Sequence, residues 1–269
     1  MYKKSFFERA DSIDALVRMN KPQVFNNIRY ASRSDVGLRR QKNEDSTLCL
    51  PDYGLFLVAD GMGGAGGGDI ASGAVIKHVE QAFRAMDFKS ALQVKVDAIR
   101  SSCNESSRWI RDKAEQLKMR GMGTTVVGVL LDAMDTRRGA ILHAGDSRVY
   151  LKRNNNLVKL MVDHSPAAEA GLDDESLVPF FLQGIITRAV GVRDDVALEC
   201  TYIEIKPGDL LLICSDGFYN MLSDVEMLAL LQGSEDHLGD LARRAVDAAN
   251  RAGGLDNISI ILVKVDSEA

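Results

Sequence analysis

The 269 residues carry 33 basic against 38 acidic side chains, a formal charge of −5 that gives no net drive toward nucleic acid or an anionic membrane surface. An apolar share of 46% and a charged share of 26% are those of a soluble protein with a sizeable core. No run reaches the ~18 to 20 uninterrupted apolar residues that span a bilayer. Charges at Lys3, Lys4, Glu8, Asp11 and Asp14 break up any secretory signal, and the four cysteines show no CxxC spacing. The expectation is a cytoplasmic protein with free, buried thiols.

Residues 1–30 read as an N-terminal extension: Phe6 to Met19 has helical periodicity until Pro22 breaks it. Strands are predicted over Asn27 to Ser32, Ser46 to Leu50 and Leu55 to Ala59, bounded by Pro51, Asp52 and Gly54. The glycine-dense loop Gly61 to Gly68 follows. A helix is predicted over Asp69 to Met86 with Asp69 as its cap, then a longer one over Phe88 to Met119. Strand patterns return at Thr124 to Leu131, Ala140 to Ala144 and Arg148 to Lys152, joined by short turns that favour antiparallel pairing. Ser165 to Ile186 has no periodicity and reads as an irregular excursion with a short helix at best. Strands over Leu198 to Ile205 and Asp209 to Cys214, helices over Ser223 to Leu231 and His237 to Ala252, and a final apolar strand over Ile258 to Val265 complete the chain. This order predicts an α+β protein with stacked antiparallel sheets covered by helices, residues 31–269 forming one domain.

Four aspartates stand where an apolar strand meets a turn: Leu-Phe-Leu-Val-Ala-Asp60-Gly, Ile-Leu-His-Ala-Gly-Asp146-Ser, Leu-Leu-Ile-Cys-Ser-Asp216-Gly and Asp256-Asn-Ile-Ser-Ile-Ile. Aspartate is depleted in strands, and an unpartnered carboxylate is costly to take from water. Any one Asp-Gly is explained by a turn. Four such junctions, with Asn43-Glu44-Asp45 before another strand, predict carboxylates converging on a single sheet edge around a hard cation, Mg²⁺, Mn²⁺ or Ca²⁺.

These residues resemble the protein phosphatase 2C family of metal-dependent phosphatases, in its bacterial form, over about Ser34 to Val265. The motifs stand in the family's order: Ser34-Asp35-Val36-Gly37 with Arg40 and Asn43-Glu44-Asp45; Val58-Ala59-Asp60-Gly61-Met62-Gly63-Gly64; Gly123-Thr124-Thr125; Ala144-Gly145-Asp146-Ser147-Arg148; Asp163-His164-Ser165; Thr187-Arg188; Ser215-Asp216-Gly217; Asp256-Asn257. The resemblance implies a four-layer αββα sandwich, two mainly antiparallel sheets packed face to face with helices on both outer sides. It implies two Mg²⁺ or Mn²⁺ ions, with Asp60 bridging, the Gly61 carbonyl on one ion, and Asp216 and Asp256 on the other. Asp146, with Asp216, corresponds to a third, weaker site. Glu44, Asp45 and Asn257 would act outside the direct ligands, the two acids through water. Arg40 matches the arginine that grips the substrate phosphate. The implied reaction is hydrolysis of phosphoserine or phosphothreonine on proteins by direct attack of a metal-bridging water or hydroxide, opposing a serine/threonine kinase.

Two departures from the family accompany the match. Met62 stands where animal members carry a histidine proposed as general acid, and Ser165 to Ile186, the family's flap, is short and contains Pro179-Phe180-Phe181. The glycine run lacks the Gly-Lys-Ser/Thr ending of a P-loop, and no Cys-x5-Arg loop offers a cysteine nucleophile. Ser147 and Arg148 are expected to be structural, and Thr124 and Thr125 to orient the core strands. Of the four histidines His78, His143 and His237 are expected to have surface or core duty, and the resemblance places His164, in the Asp-His-Ser turn, near the flap. Nothing in the sequence demands more than a monomer.

Overall fold

The computed structural model describes residues 27–63, 66–171, 184–233 and 237–266. The helix expected over Phe6 to Met19, Pro179-Phe180-Phe181 and most of the expected flap lie outside the described residues.

Eleven strands are described: β1 (Ile28–Asp35), β2 (Asp45–Leu50), β3 (Leu55–Met62), β4 (Gly123–Thr124), β5 (Val126–Leu131), β6 (Arg138–Ala144), β7 (Arg148–Arg153), β8 (Asn156–Lys159), β9 (Glu199–Glu204), β10 (Leu210–Cys214) and β11 (Ile258–Val265). The helices are α1 (Gly68–Arg84), α2 (Leu92–Leu117), α3 (Pro166–Glu169), α4 (Asp216–Tyr219), α5 (Asp224–Leu231) and α6 (Leu238–Arg251). One sheet has the order β1-β11-β10-β7-β8; the other runs β2-β3-β5-β6-β9, with β4 paired to β3. All strand pairings within both sheets are antiparallel.

The layers follow from side-chain alternation in strands. On β3, Phe56 and Val58 face the opposite sheet and meet Val127, Ile213, Ile261 and Val263, while Leu55 and Leu57 face α1 and α2. On β10 and β11, Leu210, Leu212, Ile258, Ile260 and Leu262 turn outward to α5 and α6. Both faces of each central strand are therefore buried, which is why these strands read as unbroken apolar runs rather than alternating ones. Each such side chain contributes about 2 kcal/mol of transfer free energy. Three apolar clusters, one between the sheets and one under each helical layer, make the predicted αββα sandwich.

The helices cover the sheets by the expected periodicity. Leu238, Leu241, Ala242, Ala245, Val246 and Ala249 form one buried stripe on α6. Ser223 and Glu226 make a reciprocal capping box at the start of α5. Asp69 does not cap α1: Gly67 is the boundary residue, and Asp69 instead pairs with Lys42 at 2.7 Å. The second long helix starts at Leu92 rather than Phe88, because the Asp87 carbonyl and carboxylate accept from Ser90 and Lys89 and hold a turn there. Strand β8 and the short helix α4 were not legible as separate elements. Among the described residues no helix is long and apolar enough to cross a membrane.

Candidate metal centre

The carboxylates gather at one end of the sandwich, but not on one sheet edge. Asp60 lies within β3 and Asp146 follows β6, both in one sheet; Asp216 and Asp256 flank β10 and β11 in the other. The expectation of a single edge is corrected to a cleft between the same ends of two facing sheets. Stacking, not strand order, closes it.

Asp60 is aimed by its backbone. Its N–H donates to Thr125 Oγ1 at 3.1 Å, and its carbonyl accepts from the Thr125 N–H and Thr124 Oγ1, both at 2.8 Å. The two threonines thus orient the strand beneath the site as expected, and Thr125 Oγ1 continues to Ser147 Oγ at 2.8 Å, tying in the Asp146 turn. Gly61 and Gly68 cross in close backbone contact: a Cβ on Gly61 would fall 2.2 Å from the Gly68 carbonyl oxygen. That approach, rather than phosphate cradling, is what the glycine loop supplies here.

Asp45 pairs opposite Asp60 on β2. Ser215 Oγ donates to Asp45 Oδ2 at 2.8 Å, while Asp45 Oδ1 is buried with no hydrogen-bond partner. Ser215 immediately precedes Asp216, and its Oγ also accepts from the Ser259 N–H, so one hydroxyl locks three segments. Asp256 accepts at Oδ1 from the Asn257 N–H and at Oδ2 from Arg40, 2.6 Å away. Arg40 itself is exposed at the rim.

Asn257 holds the loop that carries Arg40 and Glu44. Its Oδ1 accepts from the Glu44 N–H at 2.8 Å, and its Nδ2 donates to the carbonyls of Val36 and Lys42, both at 2.9 Å. Three hydrogen bonds from one buried amide, each worth about 1 kcal/mol, set the expected cost of Asn257→Ala at about 3 kcal/mol. Denaturant unfolding at fixed Mn²⁺ checks this, and the loosened Arg40 loop should also raise KM.

The electrostatics are those of a site built for positive charge. Burial first, then the charges of Asp45, Asp216 and Asp146, raise the Asp60 carboxyl well above the usual range, and it lies within hydrogen-bonding reach of Asp216. Burial outweighs the Ser259 and Ser215 hydroxyls and pushes Asp45 up to about 6. Burial, with Asp216 and Asp163, pushes Asp146 up to about 7. Asp216 is raised by burial and by Asp256. The raised carboxyls, all oxygen donors and one of them with an orphaned buried oxygen, fit a hard divalent cation.

Sequence reasoning missed Ser259, Ser72 and Tyr219, and quoted Ser215 in its motif without giving it a role. Ser72 Oγ donates to the Glu44 carbonyl at 2.6 Å, and Tyr219 Oη to the Asp146 carbonyl at 3.0 Å. The position of Ser215 beside Asp216 was the one available signal.

His164 lies beside the Asp146 turn. Its Nδ1 accepts from the Gly145 N–H at 3.1 Å, so Nε2 carries the proton toward Glu199, 3.2 Å away. His143, distant in sequence, stacks on it with ring centroids 4.4 Å apart and planes 10° from parallel. Donor atoms of His143, His164 and Glu199 lie within 4.8 Å of one another. Parallel rings aim their lone pairs along parallel planes, and His164 has both nitrogens engaged, so this trio braces the 163–165 turn. Two of the thiols expected to be buried, Cys49 and Cys200, are only partly so.

Comparison with known proteins agrees with this architecture. Residues 37–252 match the family model described as protein phosphatase 2C. The serine/threonine phosphatase Stp of Listeria monocytogenes serovar 1/2a is 32% identical over 242 residues, 87% of this chain and 94% of that protein. The solved serine/threonine phosphatase of S. agalactiae superposes with a TM-score of 0.80 at 30% identity, covering 89% of this chain and 100% of that one. The catalytic domain of PstP, crystallised with two manganese ions, gives a TM-score of 0.75 at 33% identity over 89% of this chain and 99% of its own. The cleft of carboxylates between two stacked sheets, and these matches along nearly all the described residues, place the chain in the protein phosphatase 2C family.

Proposed function

We propose that Asp60, the Gly61 carbonyl, Asp216 and Asp256 hold two Mn²⁺ or Mg²⁺ ions, and that Asp146 with Asp216 holds a third. The protein is a metal-dependent serine/threonine phosphatase of the 2C type. The observation that carries the ligand assignment is the gathering of Asp60, Asp146, Asp216 and Asp256 at the same end of two stacked sheets, with the buried Asp45 Oδ1 left without a hydrogen-bond partner beside Asp60. Bound divalent ions supply Lewis acidity that acidifies a water and screens charge on the phosphoryl oxygens.

The chain's own residues do the rest. Arg40 pairs with Asp256 at 2.6 Å, which holds its planar fork at the cleft mouth, and with Asp256 engaged as a metal ligand the guanidinium would be available to grip the phosphate of the substrate. Glu44, whose N–H is held by Asn257 beside Asp256, and Asp45, whose Oδ2 is fixed by Ser215, would orient water in the cleft. Met62 offers no proton, so the leaving alkoxide takes its proton from solvent in the cleft. Met62→His is therefore expected to change kcat by no more than about twofold, the size of an ordinary rim substitution of about 0.5 kcal/mol. Steady-state kinetics on a phosphopeptide check it.

The substrate class is phosphorylated protein, and we read residues 31–269 as one cytoplasmic, monomeric catalytic domain opposing a serine/threonine kinase. No expected ligand is missing, which argues against a non-catalytic adaptor. The test is release of phosphate from p-nitrophenyl phosphate and from phosphoserine and phosphothreonine peptides with Mn²⁺. Absence of release at every divalent ion concentration rejects the reading; preference for sugar phosphates or nucleotides over peptides moves it to a small-metabolite phosphatase.

A further inference from the structure

We infer that Tyr219 is a positioning residue that sets the separation of the Asp146 and Asp216 carboxylates, and with it the affinity of the third, weakest cation. The inference rests on the reading of Asp146 and Asp216 as the pair that holds that ion.

Asp216 opens the single helical turn that Tyr219 closes, so the two side chains are fixed to one rigid unit. From that unit the Tyr219 hydroxyl donates to the backbone carbonyl of Asp146 at 3.0 Å. The other backbone restraints on the Asp146 turn both come from His164, whose Nδ1 accepts from the Gly145 N–H and whose N–H donates to the Gly145 carbonyl at 3.0 Å. None of these bonds uses the Asp146 carboxylate, which is left to be aimed by the backbone. Gly145 has φ +124°, a conformation with wide freedom for glycine, so the turn needs such external restraints to keep one shape.

The tyrosine is itself held in one orientation. The Arg148 guanidinium lies 3.5 Å from the centre of its ring. Arg148 donates from Nε and Nη2 to the Asp163 carboxylate, the shortest at 2.7 Å, and from Nη1 to Tyr150 Oη at 3.1 Å. Both members of the Arg148–Asp163 pair are about nine-tenths buried, so the planar cation has little room to swing off the ring. The other proposed ligands have supports apart from the Tyr219 hydroxyl: Asp60 has the two threonines, Asp256 has Asn257, and Asp216 follows Ser215, whose Oγ is bonded to Asp45 and to the Ser259 N–H. Loss of the Tyr219 hydroxyl should therefore loosen one ion and leave the other two.

The experiment is calorimetric titration of the metal-depleted full-length chain with Mn²⁺, alongside Tyr219→Phe and Asp146→Asn. Asp146→Asn is expected to lose the weakest binding event. Tyr219→Phe, which keeps the ring under Arg148, is expected to weaken that event about tenfold, as removal of an outer hydrogen-bond partner does at metal sites. The two tighter constants should be unchanged, and the melting temperature in EDTA should fall by no more than about 2 to 4 °C, the cost of one hydrogen bond. A weakest constant that stays the same in Tyr219→Phe while Asp146→Asn abolishes it overturns the inference, as does equal weakening of every ion, which marks a general scaffold. If Asp146→Asn retains all events, the third-ion reading fails first and takes the inference with it. Should Tyr219→Phe not fold, Arg148→Lys decides by the same criterion, since it keeps the hydroxyl and unpins the ring.

Discussion

Asp60→Asn is expected to reduce turnover of a phosphopeptide by at least about 10³-fold, well past the ~10- to 100-fold loss typical of an outer-shell partner at a metal site. The substitution should also stabilise the protein when the metals are removed. Asp60 stands among Asp45, Asp216 and Asp146, and its ionised form is opposed by burial and by all three. A neutral amide relieves that repulsion, and so the melting temperature in EDTA should rise while activity disappears. The opposite shifts of two observables separate loss of a ligand from simple unfolding, which would lower both. The Thr124 and Thr125 bonds go to the backbone of Asp60 and survive the change. Scanning calorimetry with EDTA, and initial rates with saturating Mn²⁺, make the comparison. A fall in both measurements would mean that Asp60 serves the fold.

The second large effect is a stability that falls with rising pH in the metal-free protein. Asp146 is raised from 3.8 to about 7, and Asp45 to about 6. Below about pH 4 both folded and unfolded chains hold these protons, so the groups contribute nothing. Between about 4 and 7 the unfolded chain releases protons that the native state keeps. The native state then binds more protons than the unfolded one, and stability falls as pH rises, by up to about 1.4 kcal/mol per pH unit for each proton. Asp266, held low by Arg29, works in the opposite direction, but only at the acid end of the range. Mn²⁺ should reverse the trend, because cation binding replaces those protons. The rise in melting temperature on adding Mn²⁺ should therefore be larger at pH 7.5 than at pH 5, by several degrees at about 2 to 4 °C per kcal/mol. A rise independent of pH would show that the ions bind elsewhere than these carboxyls.

Much of the site was legible because its cost is local. An aspartate at the end of an apolar run is conspicuous wherever the strand ends, and Asp60, Asp146, Asp216 and Asp256 could be found without knowing which strands are neighbours. The long helices and the buried strands were legible for the same reason: their periodicity or unbroken apolarity belongs to single segments. Boundaries shifted where a side chain chose a distant partner over the local one, as Asp69 chose Lys42 instead of capping α1.

What the sequence by itself determined was the inventory: an α+β chain, the carboxylates in order, Arg40 in the loop before them, and the resemblance that joined these into a phosphatase. Only the tertiary structure decided that the aspartates meet in a cleft between two sheets rather than along one edge. It alone brought Ser215 to Asp45, Asn257 to the Glu44 loop and Tyr219 to Asp146, across separations of 170, 213 and 73 residues. The physical reason is that a hydrogen bond between remote segments leaves no periodic trace in either of them: its partners are selected by how the layers stack, which the packing of the core settles as a whole.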